Sequence, residues 1–170
     1  LRTARAWRSR QAGMRIAVNV SSRELRHARF IAECTALLKE DLDASLLDIE
    51  ITESLLMDDL EQSTRILQAL RDLGCRIAVD DFGTGYSSLN YLVRLPVDTI
   101  KIDQSFVALM TQSPETMGLV SNIINLGHSL SLQIVAEGVE EEEQMKLLRL
   151  LRCDFLQGYL MGRPLPEAEF

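Results

Sequence analysis

The sequence predicts an α/β fold built on a parallel sheet, and three features carry that expectation. Short apolar runs rich in β-branched residues alternate with longer helical patterns along the whole chain. Polar and ionisable residues recur at the C-terminal end of nearly every run, which is the active rim of a strand–helix barrel. No low-complexity linker, solenoid-length repeat or second composition regime breaks the alternation, so the 170 residues read as one domain with its own core.

Leu1–Gln11, with Trp7 on an apolar flank, reads as a helix leading into a first strand, Arg15–Val20. A helix over Glu24–Leu42 and a strand over Asp48–Thr52 follow. In the helix Asp58–Leu73, Ile66, Leu67, Leu70 and Leu73 fall on one stripe, and Gly74 supplies the stop. Strand Arg76–Asp80, helix Ser87–Leu95, strand Thr99–Ile102, helix Glu115–Leu130 and strand Gln133–Ala136 continue the pattern. The last helix, Glu140–Leu151, opens on the glutamates Glu140–Glu143, where the helix dipole favours negative charge. Asp154–Leu160 is the least regular strand. Six strand–helix units fit this length, whereas a closed eight-fold barrel usually takes about 250 residues. The chain is therefore expected to begin part-way round a barrel.

Composition narrows the function classes. Apolar residues make up 46% and charged residues 25%, an ordinary globular mixture. A net charge of -7 argues against a long nucleic acid on a basic surface, although divalent cations can still bring a phosphate ligand to an acidic site. Cys34, Cys75 and Cys153 stand far apart with no CxxC pair, which points to a reducing compartment and to thiols in or near the core. No apolar run approaches the roughly 20 residues of a membrane span, and the Arg-rich start lacks the apolar stretch of a signal peptide. The expected location is cytoplasmic, with a parent protein free to be tethered through a segment not in this sequence.

The candidate chemistry lies at the strand ends: Asn19, Glu50 and Glu53, Asp80 and Asp81, Lys101 and Asp103, Glu137, and Gln157. Each admits a bland reading on its own. Asp80 and Asp81 could be a cap and turn, Lys101 could pair with Asp103 on its own strand face, Glu53 could be structural, and Gln157 a satisfied polar group. Together they offer hard oxygen donors suited to Mg²⁺ or Mn²⁺. Adjacent Asp80 and Asp81 could serve two metals a few ångströms apart, as in phosphodiester cleavage. His27 and His128 show no ligand spacing, which argues against zinc.

The stretches Val18-Asn19-Val20-Ser21, Glu50-Ile51-Thr52-Glu53 and Asp80-Asp81-Phe82-Gly83-Thr84-Gly85-Tyr86-Ser87-Ser88-Leu89 come in that order. Lys101-Ile102-Asp103, Ala136-Glu137-Gly138-Val139-Glu140 and Gln157-Gly158-Tyr159 follow them. In order and spacing the set resembles the EAL-domain cyclic-di-GMP phosphodiesterases over essentially the whole chain. The resemblance implies a modified TIM (β/α)8 barrel that hydrolyses cyclic di-GMP to linear pGpG with two divalent cations, Mg²⁺ or Mn²⁺. It implies Asn19, Glu50 and Asp80 on the first metal, and Asp80 bridging to a second held by Asp81 and Glu137. Lys101 would orient or activate the attacking water, Gln157 and Asp103 would support the site, and Glu53 would pin the loop Phe82–Ser88. It further implies a homodimer and, in the parent protein, an upstream sensor or GGDEF-type domain.

One departure shapes the expectation for residues 1–170. No Glu-Ala-Leu occurs, since Glu167-Ala168-Glu169 continues to Phe170, so the family's first-strand Glu and a nearby substrate-binding Arg have no counterpart. The chain is expected to be the C-terminal two-thirds to three-quarters of an EAL domain, to hydrolyse poorly alone, and to pair or aggregate through exposed sheet edges. A catalytically inactive cyclic-di-GMP-binding module and a dimerisation scaffold are the alternative readings.

Overall fold

The chain alternates strand and helix as its sequence predicts, and three of its longer helices stop by one recurrent device. The computed structural model describes residues 15–41, 44–85 and 89–166, so the helix expected over residues 1–11 and the loop residues 86–88 lie outside it. The order is β1 (Ile16–Asn19), α1 (Ser22–Leu25), α2 (Phe30–Asp41), a 3-10 turn (Ala44–Leu46), β2 (Leu47–Thr52), α3 (Glu53–Asp58), α4 (Leu60–Asp72) and β3 (Arg76–Phe82). It continues through α5 (Leu89–Leu92), β4 (Thr99–Ile102), α6 (Gln104–Leu109), α7 (Pro114–Ser129), β5 (Gln133–Ala136), α8 (Glu142–Leu150) and β6 (Phe155–Leu156). The strands follow one another in the sheet in sequence order. β1 and β2 pair in parallel with Asn19 opposite Glu50, and β4, β5 and β6 pair in parallel with Lys101 opposite Val135.

Helices α4, α7 and α8 each end on a residue of positive φ: Gly74 at 98°, Ser131 at 59° and Arg152 at 61°. In α4 the Gly74 N–H donates to the Arg71 carbonyl at 2.8 Å and the Cys75 N–H to Leu70 at 3.1 Å. The same two-bond closure recurs at Ser131 and Leu132 on His128 and Gly127, and at Arg152 and Cys153 on Arg149 and Leu148. These bonds satisfy carbonyls the helix end would otherwise leave open and turn the chain straight into the next strand. Only Gly74 announces the turn in sequence; Ser131 and Arg152 accept it at a steric cost of roughly 1–2 kcal/mol each.

An aspartate at the start of a following strand anchors the strand before it. Asp98 accepts from the Ile77 N–H at 2.9 Å and pairs with Arg71 at 3.2 Å. Asp154 accepts from the Ile134 N–H at 2.8 Å and faces His128 Nε2 at 3.1 Å.

Contacts divide the chain into two units, Leu1–Val79 with Gly85–Asp98, and Asp80–Thr84 with Thr99–Phe170. In the first, Leu47, Ile49, Ile51, Leu56, Leu67, Leu70, Ile77 and Val79 are buried. In the second, Ile100, Ile102, Val107, Val120, Ile124, Ile134, Ala136, Val139 and Leu148 are buried. Each of the buried Val, Leu and Ile side chains stabilises its unit by about 1.5–3 kcal/mol. Gly127 lets α7 lie directly on β5, since a Cβ there would fall 2.1 Å from Ile134 Cδ1.

Several expected boundaries move for physical reasons. The single helix expected over 24–42 is two: a Ser21–Glu24 capping box closes one turn, and residues 26–29 have no buried side chain to carry it on. The helix expected from 58 starts at Leu60, because Asp59 leaves helical geometry (φ -150°) and caps the Gln62 N–H at 3.0 Å. Ahead of it α3 was not expected. Neither was α6, which begins where Asp103 accepts from the Ser105 N–H at 2.9 Å. The expected strand over 154–160 reduces to Phe155–Leu156, because Gly158 meets the Val139 backbone so closely that a Cβ would fall 2.3 Å from its nitrogen. The helix expected over 140–151 starts at Glu142, where the Gln144 side chain accepts from the Glu140 and Glu141 N–H groups, so only Glu142 and Glu143 occupy its first turn. Of the helix expected over 87–95, α5 is the part among the described residues. Cys75 is buried, Cys34 and Cys153 are half-buried, and all three are free thiols. No helix among the described residues is long and apolar enough to cross a membrane.

Candidate active site

The second unit collects charge at the ends of three strands. β3 places Asp80, 9% exposed, and Asp81 side by side, and the Asp81 N–H donates to Asp80 Oδ1 at 3.2 Å. Asp81 sits at φ 53°, a conformation aspartate tolerates better than most residues, so the chain turns sharply at the site itself. The turn is held by Thr84, whose Oγ1 donates to the Asp81 carbonyl at 2.8 Å. Gly83 closes it at φ 97°, with no Cβ to collide with the Phe106 ring of α6.

β4 contributes Lys101, 4% exposed, whose Nζ lies 3.0 Å from Asp80 Oδ1 and 2.8 Å from Glu137 Oε1. Its register explains the reach. Lys101 pairs with Val135, and Glu137 lies two residues further on the same face of the β5 chain. The Glu137 N–H extends the ladder by donating to the Ile102 carbonyl at 3.1 Å. Asp80, Asp81 and Glu137 each offer a carboxylate oxygen, and these atoms lie within 4.8 Å of one another. Burial, then repulsion from Asp80 and Asp103, pushes the Asp81 carboxyl above the usual range, with Lys101 pulling the other way.

Beside this group opens a cavity of about 320 Å³ lined by Asp81, Asp103, Glu137 and Gln157, together with Gln104, Gly138, Glu140, Gly158 and Tyr159. Six of the expected site residues thus come together in one unit: Asp80, Asp81, Lys101, Asp103, Glu137 and Gln157. Lys101 is ion-paired as its burial demands, with Asp80 and Glu137, while Asp103 caps α6 and lines the cavity. Gln104, Glu140 and Tyr159 had not been picked as site residues. Glu140 and Tyr159 lay inside the quoted stretches, and Gln104 directly follows Asp103, but nothing in a linear sequence shows which neighbours face a cavity.

In the first unit Asn19 and Glu50 stand opposite each other at the ends of β1 and β2, Asn19 exposed and Glu50 buried. Glu53, 1% exposed, accepts a 2.6 Å hydrogen bond from the Tyr91 hydroxyl, and Gly85 passes so close that its absent Cβ would lie 3.7 Å from the Glu53 carboxyl. Burial, then this bond, keeps the Tyr91 phenol protonated far above its usual range.

The EAL domain family model matches residues 1–164. The chain is 42% identical over 168 residues to the signaling protein YkoW of Bacillus subtilis, covering 98% of this chain and 21% of YkoW. It is 45% identical over 159 residues to the bifunctional diguanylate cyclase/cyclic di-GMP phosphodiesterase MucR of Pseudomonas aeruginosa, covering 93% of this chain and 23% of MucR. The chain therefore spans about a quarter or less of these relatives. Among solved structures, the PaMucR phosphodiesterase in complex with c-di-GMP superposes with a TM-score of 0.94 at 44% identity, over 99% of this chain and 69% of that one. The manganese/cy-diGMP complex of Klebsiella pneumoniae BlrP1 superposes with a TM-score of 0.88 at 30% identity, over 98% of this chain and 43% of that one. The six-stranded α/β fold is that of an incomplete TIM barrel, and the chain belongs to the EAL domain family.

Proposed function

We propose that this chain carries most of the site for metal-dependent hydrolysis of cyclic di-GMP to linear pGpG, an activity that belongs to the complete EAL domain. One observation supports the reading above the others: three carboxylates converge within 4.8 Å, two of them lining a cavity of about 320 Å³. The named activities of its relatives, a bifunctional cyclase/phosphodiesterase and a cyclic di-GMP phosphodiesterase, point to the same substrate.

The donor set fits a divalent cation. Asp80, Asp81 and Glu137 supply hard, charged oxygens, which suits Mg²⁺ or Mn²⁺ rather than a soft metal. Asn19 and Glu50 are the proposed ligands of a further cation. Such ions offset phosphate charge and acidify a water molecule. Lys101, held by Asp80 and Glu137, sets the spacing of two ligands and keeps a positive charge where an attacking water would be oriented. Asp103 and Gln157 line the cavity and position the ligand. Glu53 supports the loop through Gly85. A homodimer, an upstream sensor or cyclase domain and a cytoplasmic location complete the proposal.

The test is chromatographic conversion of cyclic di-GMP to pGpG by the complete EAL domain, with this chain beside it, in Mg²⁺ or Mn²⁺. In the complete domain Asp80→Asn is expected to lower the rate by on the order of a thousandfold or more, because it removes charge from a proposed metal ligand. Near-normal turnover by that variant, or turnover undiminished by a chelator, contradicts the reading.

A further inference from the structure

The carboxylates and Lys101 account for cations and phosphate, but nothing among them handles a purine. A cyclic dinucleotide carries two bases with large π faces, and such faces bind by stacking on aromatic rings. Tyr159 is the one aromatic among the described residues that line the cavity. Its position is set by main chain on both sides. The Val139 N–H donates to the Gln157 carbonyl at 3.0 Å, and the Leu160 N–H donates to the Val139 carbonyl at 3.0 Å. Between them Gly158 presses on Val139 too closely for any side chain. The Met161 and Gly162 N–H groups then close a turn on the Gly158 carbonyl at 3.0 and 3.2 Å.

A tyrosine whose backbone is fastened this firmly still leaves 55% of its surface exposed. The Arg163 guanidinium lies over one face of its ring, 4.9 Å from the centroid, a cation–π contact. Tyr159 also lines the cavity. A ring already in contact with a neighbour costs less to order when a base lands on it. Arg163 also brings positive charge next to Tyr159, beside a cavity whose lining includes Asp81, Asp103, Glu137 and Glu140.

We propose that Tyr159, held by Arg163, is the platform on which a guanine base of the ligand stacks. This rests on the cyclic di-GMP reading of the site and adds its base subsite. The experiment is a titration of the purified protein with a non-hydrolysable phosphorothioate analogue of cyclic di-GMP in Mn²⁺, with thermal melts to confirm that each variant is folded. Tyr159→Phe keeps the ring and is expected to bind within about twofold of the parent, whereas Tyr159→Leu keeps apolar bulk without the ring and is expected to bind about tenfold more weakly. Arg163→Gln is expected to weaken binding about threefold. A folded Tyr159→Leu protein binding as tightly as the parent overturns the platform, as does a Phe variant as weak as Leu. Undiminished binding by Arg163→Gln removes the arginine from it. A parent protein that binds none of the analogue overturns the functional reading and the platform with it, which separates the two failures.

Discussion

Glu53 and the group Asp80, Asp81 and Glu137 are acidic residues at the ends of strands, and on sequence they look alike. Their surroundings differ in kind. Glu53 is 1% exposed, receives a neutral hydroxyl from Tyr91 and lies against the bare Cα of Gly85. The other three face one another within 4.8 Å around a single buried ammonium. A carboxylate answered by a fixed dipole and closed off from water organises structure. Carboxylates that face one another around one ammonium concentrate negative charge that Lys101 offsets in part, and a cation is what such an arrangement can accept. Burial, then repulsion from Asp80 and Asp103, raises the Asp81 carboxyl, so crowding of negative charge contributes to the shift.

Removing Lys101 should break the comparison most severely. Lys101→Met strips the positive charge from between Asp80 and Glu137, and breaking a buried pair from one side costs about 3–5 kcal/mol. For a chain of this size the melting temperature in chelator should fall by roughly 6–15 °C. Divalent cation should return part of that loss, since it restores positive charge at the same carboxylates. An unchanged melting temperature in chelator would show that Lys101 is not what holds the cluster together.

Tyr91→Phe probes the closed member of the comparison. It deletes one donor to a buried carboxylate without changing the ring's shape, at a cost of about 1–3 kcal/mol. Calorimetry should record a fall of a few degrees, the same with chelator or Mn²⁺. A loss that Mn²⁺ repairs would mean that Glu53 belongs with the cation-binding carboxylates, and the distinction drawn above would fail.

The contrast between Glu53 and the open cluster was only partly legible in the sequence. Buried parallel strands are read from β-branched runs, so Thr99–Ile102 and Gln133–Ala136 fall where expected. The rim followed, since Asp80, Asp81, Lys101 and Glu137 end those runs. Partners were harder to foresee. Lys101 has Asp103 two residues away in sequence, but parallel pairing puts Glu137 within reach, thirty-six positions on. Tyr91 lies 38 residues from Glu53 and carries no local mark of its role. Positive φ at Ser131 and Arg152 was hidden because only glycine advertises it, and α6 was missed because an Asp cap after a strand looks the same as an Asp ligand.

The smallest expected effect has the most informative sign. Asp81→Asn removes one negative charge from the cluster while keeping a residue that also tolerates positive φ. The native Asp81 carboxyl is raised above its unfolded value, so the folded state penalises its ionised form. That penalty is absent below the unfolded pKa of about 4 and grows as pH rises from there through the folded value. In chelator at neutral pH, Asp81→Asn should therefore melt about 1–3 °C higher than the parent, with the advantage fading on acidification. In Mn²⁺ the order should reverse, because the parent gains a bound cation that the variant holds less tightly. Thermal melts at neutral and acidic pH, each with chelator or Mn²⁺, read all four conditions. A variant that melts lower than the parent in chelator would show that Asp81 stabilises the fold as Glu53 does, and the open cluster would be structural after all.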